Sequence, residues 1–534
     1  MMSNKINDVL KQYNKPVPFN PRLVFSLLIS LGLALFVEHR VFFDTYAIND
    51  DVRNQIYGMA KYLDPSYFAN DYIAAYFTQP SMISPIVGLI YKSFSFFADP
   101  KLLTQYLPFI LIMATTYFLF KASEIHAGSN YAFWVSFVFN LYIWTMKYMA
   151  GGLARAFFYL LFFMFFYFLA KRAWKSMVLC FALQALIYPT ACFLSLITLI
   201  IELIRTRFFL KEKIKDITKA LTGSFLVSAI ILYFRYIYFK VPGFGPMTTL
   251  DQAVKMPEFY LDGRACVFVV PFSFYQNGIS LELITNGFIK FWDCSYILIL
   301  IIAALVLFYS ISRKFFNVSK TTITSPSYLW SSAIASLSLF VIAYLNLFYL
   351  YLPHRYIAYT LPLVPIYLIG ALLFKLESDC SKRPIITWIV AIVMILAIAP
   401  LWREDLIHLS KAERKLHQFL ETTPKQSMIA APLKLASNIP AFAYRSVIAS
   451  SETNIPFHQT YYKEVKTRVD NLAQLYATTD INYIRDFVQQ YSIDYVVIDT
   501  FLESLSETSP LRSIPETSQA YINKRYKVFN AAMI

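Results

Sequence analysis

The sequence predicts a polytopic α-helical membrane protein, with about eleven transmembrane helices and a small α/β C-terminal domain on the extracytoplasmic side. Three observations lead there. The chain has 534 residues, of which 57% are hydrophobic and only 15% charged, too little polar surface for a water-soluble protein of that size. Apolar runs close to the length that crosses ~30 Å of hydrocarbon recur along it, such as 297–307 with its flanks and 385–401. After Pro400 the composition changes abruptly to that of a soluble domain. The runs are apolar on every side rather than alternating, which sets aside a transmembrane barrel.

The elements follow in order. Lys5, Lys11, Lys15 and Arg22 place the N-terminal tail in the cytoplasm by the positive-inside rule. No small-residue cleavage site follows the first apolar run, 23–37, so it is read as a span rather than a signal peptide. The segment 38–103 mixes acids, aromatics and prolines and reads as a large outer loop. Its most apolar part, Met82 to Phe97, is assigned as a flat interfacial helix, because the later charges decide. Only then do Lys171, Arg172 and Lys175, the cluster from Arg205 to Lys219, Arg313, Lys314 and Lys320, and Lys375, Lys382 and Arg383 all fall inside.

Spans are then expected at 103–120, 131–149, 154–170, 221–239, 296–311, 329–349, 357–376 and 385–400. Met177 to Leu203 is basic at both ends and broken by Pro189, so it reads as two short helices that go out and come back. This divides the chain into a transmembrane domain over 1–400, with outer loops at 38–103 and 241–290, and an extracytoplasmic α/β domain over 401–534. In the latter, β-branched runs at 447–449 and 495–499 alternate with helical patterns at 462–477 and 481–491.

A net charge of +15 would suggest nucleic acid for a soluble protein, but here the basic residues sit beside apolar runs and report topology and lipid headgroups. No nucleic-acid partner is expected. The five cysteines lack metal-ligand spacing, and Cys266 and Cys294 fall on the same outer side, where a disulfide and two free thiols both stay open. With 13 glycines there is no phosphate-cradling loop, and no HExxH run or nucleophile elbow is present. His39 and His354 each precede an arginine at the interface. His408, His417 and His458 have no identifiable partner in the sequence, and Asp494 and Asp499 read as the ends of a strand.

The chemistry is sought at the outer face. The run YAINDDVRNQIYGMA holds the adjacent acids Asp50 and Asp51. Side by side they repel unless a metal, a cation or a proton relay uses them; the other reading is that one caps the helix starting at Val52. Arg155 follows Gly151 and Gly152, Arg264 lies in MPEFYLDGRACVF, and Arg355 in YLYLPHRYIAYTLPL. All three fall on the same side, where arginines either bind phosphate bidentately or snorkel to headgroups. Tyr46, Tyr57, Tyr67, Phe68 and Tyr72 beside the outer loop either stack on sugars or form an interfacial belt.

The run NDDVRNQIYGMAKYLDPSYFANDYIAAYF after a first span, with the later outer-face motifs GGLAR, MPEFYLDGR and LPHRYIAYTLPL, resembles the GT-C superfamily of membrane glycosyltransferases. The resemblance covers most of the chain and implies transfer of a sugar from a polyprenyl-phosphate donor to an acceptor outside the cytoplasm of a bacterial plasma membrane. It implies that Asp50 or Asp51 is the base or a ligand of a divalent metal, Mg2+ or Mn2+, with the second acid orienting the acceptor hydroxyl. Arg155, Arg264 and Arg355 would hold the donor phosphate, and direct displacement would invert the anomeric carbon. The neighbours of the acidic pair differ from those in many better-known members, and the tail matches no particular acceptor-binding domain. The acceptor therefore stays open among lipid, glycan and protein. Two rivals remain: a flippase of lipid-linked sugars, which predicts midplane charges and repeat-related broken spans, and a GT-C-shaped scaffold that tolerates loss of Asp50 and Asp51.

Overall fold

The computed structural model of the chain describes residues 20–79, 82–146, 148–209, 215–238, 243–260, 263–265, 267–268, 298–302, 306, 325–346, 348–350, 352–379, 385–402, 406–500, 510–512, 519–522 and 525–533. Cys266 and Cys294, most of the 241–290 loop and most of the span expected at 296–311 lie outside the described residues.

Helix α1 (Pro21–Phe43) starts where Asn20 accepts from the amides of Arg22 and Leu23 at 3.1 and 3.3 Å, satisfying donors that no helical carbonyl can reach. A three-residue strand, β1 (Ala47–Asn49), runs directly into α2 (Asp50–Met59), and α3 (Tyr72–Phe77) and α4 (Pro85–Phe94) complete the first loop. With ten residues, α4 extends about 15 Å, half of what a bilayer core requires. The hydroxyl of Ser84 at its start donates to the Leu186 carbonyl at 2.9 Å, and that of Ser95 at its end donates to the Tyr62 carbonyl at 3.3 Å.

A bundle follows: α5 (Pro100–Ala127), α6 (Ser129–Ile143), α7 (Phe158–Ala170), α8 (Trp174–Ile187), α9 (Pro189–Phe208), α10 (Lys215–Tyr233), α11 (Ser327–Leu345), α12 (His354–Thr360), α13 (Leu363–Asp379) and α14 (Ile385–Ile398). Five described stretches are long and apolar enough to cross a membrane: Pro21–Val41, Pro100–Ala127, Lys215–Ile237, Ser327–Leu345 and His354–Ser378. Ala154–Ala170, Trp174–Ile187 and Ile385–Leu401 are apolar but shorter. The shortening has local causes: Pro189 opens α9 immediately after α8 ends, and the chain turns at Gly151, φ 76°, before α7. Trp134, Tyr142, Phe162 and Phe166 are fully buried inside the bundle, whereas Leu28, Phe36, Ile110, Leu345 and Leu396 point outward and exposed, the surface that a helix bundle offers to lipid.

Polar contacts sort the helix ends. At one end Arg22 meets Glu377, Asn20 meets Glu124, and Glu202 accepts from Ser331, which brings together the start of α1, the ends of α5, α9 and α13, and the start of α11. The other end carries β1, the start of α5 and the turns before α7, α9 and α12. We call the latter the site end.

The region after Trp402 packs on the site end. β2 (Leu406–His408) pairs antiparallel with β1, with Asn49 opposite Leu406. Then come α15 (Lys411–Thr422), β3 (Met428–Ala430), β4 (Ser446–Val447), α16 (Gln459–Ala477), α17 (Ile481–Gln490), β5 (Tyr495–Asp499), β6 (Gln519–Ile522) and β7 (Tyr526–Asn530). The strands form a mixed sheet ordered β4-β3-β5-β7-β6; β3 is parallel to β4 and β5, and β7 antiparallel to both its neighbours. Covering helices α16 and α17 bury Leu472, Leu475, Ile484 and Phe487 against it, which gives this region its own apolar core. The Tyr444 hydroxyl donates to the Asp99 carboxylate at 2.7 Å, and Arg414 reaches Asp44 at 2.6 Å, joining it to the first loop and the start of α5.

Candidate functional site

Asp50 and Asp51 open α2, a place where carboxylates suit the positive end of the helix dipole. The two acids diverge from there. Asp50 pairs with Arg53, one turn along the same helix. The Arg53 side chain is 8% exposed, and its Nη1 also donates to Asn438 Oδ1 at 2.7 Å. Asp51 pairs instead with Arg155, which arrives from 104 residues away.

Two glycines let it arrive. Gly151 and Gly152 have φ of 76° and 60°, left-handed values that side chains with a Cβ disfavour. A Cβ at Gly151 would stand 2.2 Å from Val52 Cγ2, and one at Gly152 2.9 Å from Leu107 Cβ. The turn therefore packs its backbone against the first residues of α2 and against α5. Leu153 is then buried, and Arg155 follows one helical turn before α7 with its side chain 11% exposed. Its Nη1 serves Asp51, while Nε and Nη2 are buried without a hydrogen-bond acceptor among the described residues.

Arg355, in the first turn of α12, donates from Nη1 to the Tyr188 hydroxyl at 2.9 Å. Tyr188 sits in the break between α8 and α9, and its hydroxyl lies 3.2 Å from that of Tyr359. Arg264 pairs with Glu452, which also lies 3.6 Å from Arg53 Nη2 and accepts from Asn54 Nδ2 at 3.2 Å. Burial raises the carboxyl of Asp51, but Arg155, Arg355 and Arg264 together more than offset it and hold the group below its usual value. All three arginines singled out in the sequence thus converge electrostatically on one carboxylate. Among the described residues, four guanidinium groups (Arg53, Arg155, Arg264, Arg355) and three carboxylates (Asp50, Asp51, Glu452) are gathered here.

The unmet Arg155 donors suit an anion. A divalent metal at Asp50 or Asp51 would have to compete with the guanidinium that each acid already meets, and no group of three or more His, Cys, Asp or Glu is found among the described residues.

Known proteins were then compared. The chain is similar to archaeal oligosaccharyltransferases. The Archaeoglobus fulgidus oligosaccharyltransferase in complex with Zn and sulfate superposes with a TM-score of 0.48 at 12% identity, over 90% of this chain and 68% of that one. Its apo form gives 0.47 at 13%, over 90% and 69%, and the same enzyme, AglB, in complex with an inhibitory peptide and a dolichol-phosphate gives the same values. No protein-family model and no curated protein sequence matches the chain. A likeness at that TM-score and identity says nothing about which residues react, so the chemistry rests on the site itself.

Several site members were not anticipated. Glu452 and Asn438 come from the C-terminal region, and Tyr188 from a helix break; no local pattern marks them. Arg53 was visible, since a cation three residues after Asp50 falls on the same helix face. The outer-loop aromatics turn out to pack against the C-terminal region: Tyr46 stacks on Phe442 at 6.2 Å and Tyr72 on Tyr461 at 5.8 Å, while the Tyr67 ring lies tilted against Tyr444 at 5.6 Å. Phe68 is buried, and the side chain of Tyr57 is not among those described. Three of the histidines have partners or surroundings outside the cluster. His458 bonds the Tyr76 hydroxyl at 2.8 Å, His408 lies 3.6 Å from Asp44, and His417 is buried, pushed down to about 3 by burial and by Lys101. Asp494 accepts from the Met428 amide and Asp499 pairs with Arg525, both structural.

Proposed function

We propose that this protein is a membrane glycosyltransferase of the GT-C type, transferring a sugar from a polyprenyl-phosphate-linked donor to an acceptor on the extracytoplasmic side of a bacterial plasma membrane. One observation supports the reading: Arg155, Arg264 and Arg355, from three distant segments, all act on the Asp51 carboxyl, Arg155 through a direct ion pair, and Arg155 keeps two buried side-chain nitrogens without an acceptor among the described residues. A guanidinium with unmet donors beside a further cation is what a phosphate requires. The site end, with its covering C-terminal region over 401–534, would be the extracytoplasmic face, and residues 1–400 the transmembrane domain.

In this reading the donor phosphate lies against Arg155, Arg264 and Arg355. The acceptor hydroxyl oxygen attacks the anomeric carbon, the bond from that carbon to the phosphate oxygen breaks, and the electron pair leaves with the lipid phosphate, whose growing charge the arginines stabilise. Of the two acids, one accepts the hydroxyl proton and the other orients the acceptor. Attack opposite the leaving group inverts the anomeric carbon. The acceptor class stays open among lipid, glycan and protein.

The test is transfer of labelled sugar from a panel of polyprenyl-phosphate donors in membranes, comparing native protein with Asp50→Asn and Asp51→Asn at equal expression. Loss in either variant supports the enzyme and identifies the acid that matters. Equal product from all three removes the catalytic site, and no transfer from any donor favours a scaffold.

A further inference from the structure

Glu452 ties together segments that are far apart in sequence. Its carboxylate meets Arg264, 188 residues away, and Asn54, 398 residues away, with Arg53 at 3.6 Å. The side chain is 17% exposed. It is the only acid of the cluster that comes from the C-terminal region.

The turn that presents it is fixed from several sides. The Ser450 amide donates to Thr453 Oγ1 at 3.1 Å, and the Thr453 amide returns a bond to Ser450 Oγ at 3.3 Å. The hydroxyls of Ser437 and Ser451 share a bond of 2.9 Å, and the Tyr461 hydroxyl donates to the Thr453 carbonyl at 2.8 Å. Its partner is held equally firmly. Gly263, next to Arg264, has its backbone so close to Glu258 that a Cβ would stand 2.4 Å from that carbonyl carbon, and the Ala265 amide bonds the Glu258 oxygen at 2.9 Å. Two turns, each with close backbone or hydroxyl contacts of its own, thus meet through one ion pair.

Resting on the phosphate-binding reading of the site, we propose that Glu452 is a positioning residue, an internal anion that holds Arg264 and Arg53 in line for the donor phosphate and limits how tightly it binds. Two effects oppose each other. The negative charge repels a phosphate bound to the same arginines, which weakens the ground-state complex. The fixed carboxylate also keeps Arg264 aimed at the place where charge grows on the leaving group, which favours the transition state. Neutralising Glu452 removes both, so binding tightens while turnover slows, a split that general damage to the fold does not produce.

The experiment uses full-length purified protein in detergent micelles, with farnesyl phosphate as the binding probe and transfer kinetics as the second readout. Glu452→Gln is expected to bind farnesyl phosphate about tenfold more tightly and to turn over about tenfold more slowly. Glu452→Asp keeps the charge but shortens the reach, so affinity stays within about twofold while kcat falls. Combining Glu452→Arg with Arg264→Glu restores part of the kcat lost in either single variant. Glu464→Gln, at a 45% exposed side chain that pairs with Arg468 away from the cluster, changes neither readout. Unchanged or weaker farnesyl phosphate binding by Glu452→Gln overturns the inference, as does a charge swap no better than its worse parent. If the native protein binds no farnesyl phosphate, the phosphate reading itself falls; if it binds and Glu452→Gln does not tighten, that reading stands and only the role of Glu452 falls.

Discussion

The two ends of the helix bundle use the same residue types to opposite effect. At the end away from the site, three glutamates are closed off completely. Glu124 accepts from Asn20, Ser129 and Lys121 at 2.7, 2.6 and 2.9 Å. Glu377 accepts from Arg22 and the Trp134 indole at 2.7 and 2.8 Å, and Glu202 from Arg205, Ser327 and Ser331 at 2.8, 3.3 and 2.7 Å. Both oxygens of each acid are used, and donors match acceptors. At the site end Arg155 retains two buried side-chain nitrogens without an acceptor among the described residues. Saturated clusters fasten helix ends together. An unsaturated cluster costs stability and is retained where something else completes it.

The largest effect expected from breaking this contrast is on catalysis. Arg155→Ala should lower transfer by about 10²- to 10³-fold while leaving the protein folded, because its ion-pair partner among the described residues is the partly exposed Asp51. Sugar transfer and thermal unfolding measured on the same preparation check both halves. A variant that unfolds, or one that stays fully active, removes the distinction between the two ends. The reverse experiment is Glu202→Ala, which strands Arg205 and two hydroxyls; a loss of about 2 kcal/mol in stability is expected, with transfer per folded molecule unchanged.

Gly151→Ala tests the backbone rather than the charges. A left-handed φ and a Cβ 2.2 Å from Val52 should together cost about 1–3 kcal/mol and shift Arg155 away from Asp51, so stability and transfer fall together. This position also shows what the sequence could and could not reveal. Long apolar runs and Pro189 were enough to locate the described helices of the bundle and the broken pair α8 and α9, because hydrophobic length and proline chemistry are local. The GGLAR run signalled a turn with an arginine. Nothing local, however, tells that this turn lies against Asn49 and Val52, or that Glu452 closes on Arg264, since such pairings are set by packing across 104 and 188 residues. The pairing of β1 with β2 was hidden for the same reason; three-residue strands carry too little pattern to be read.

Asp51 supplies a pH signature. Its carboxyl is held below the usual value chiefly against burial, by Arg155, Arg355 and Arg264. A depressed folded value means that its contribution to stability and activity is present above the ordinary carboxylate range near pH 4 and is lost only as pH falls through the lower folded value. The acid limb of the transfer profile should therefore lie below about pH 4 in native protein and move upward in Arg355→Gln. An unmoved limb would detach Arg355 from the cluster.

The smallest effect is expected where the C-terminal region touches the first loop in the open. Lys425 reaches Asp64 at 2.6 Å and, mainly through that hydrogen bond, draws its carboxyl well below the usual value, yet both groups are solvated. The docking of this region rests on other contacts: the Tyr444 hydroxyl on Asp99, the β1–β2 pair and the ring stack of Tyr76 on Tyr461 at 3.6 Å. Water and salt screen an exposed pair so strongly that its geometry is a poor guide to its worth. Lys425→Ala should leave both Tm and transfer unchanged, whereas Tyr444→Phe, which removes the only hydroxyl bonded to Asp99 at the start of α5 among the described residues, should lower Tm by a few degrees. Equal losses from the two would mean that charge, rather than the buried hydroxyl and aromatic contacts, holds the C-terminal region over the site.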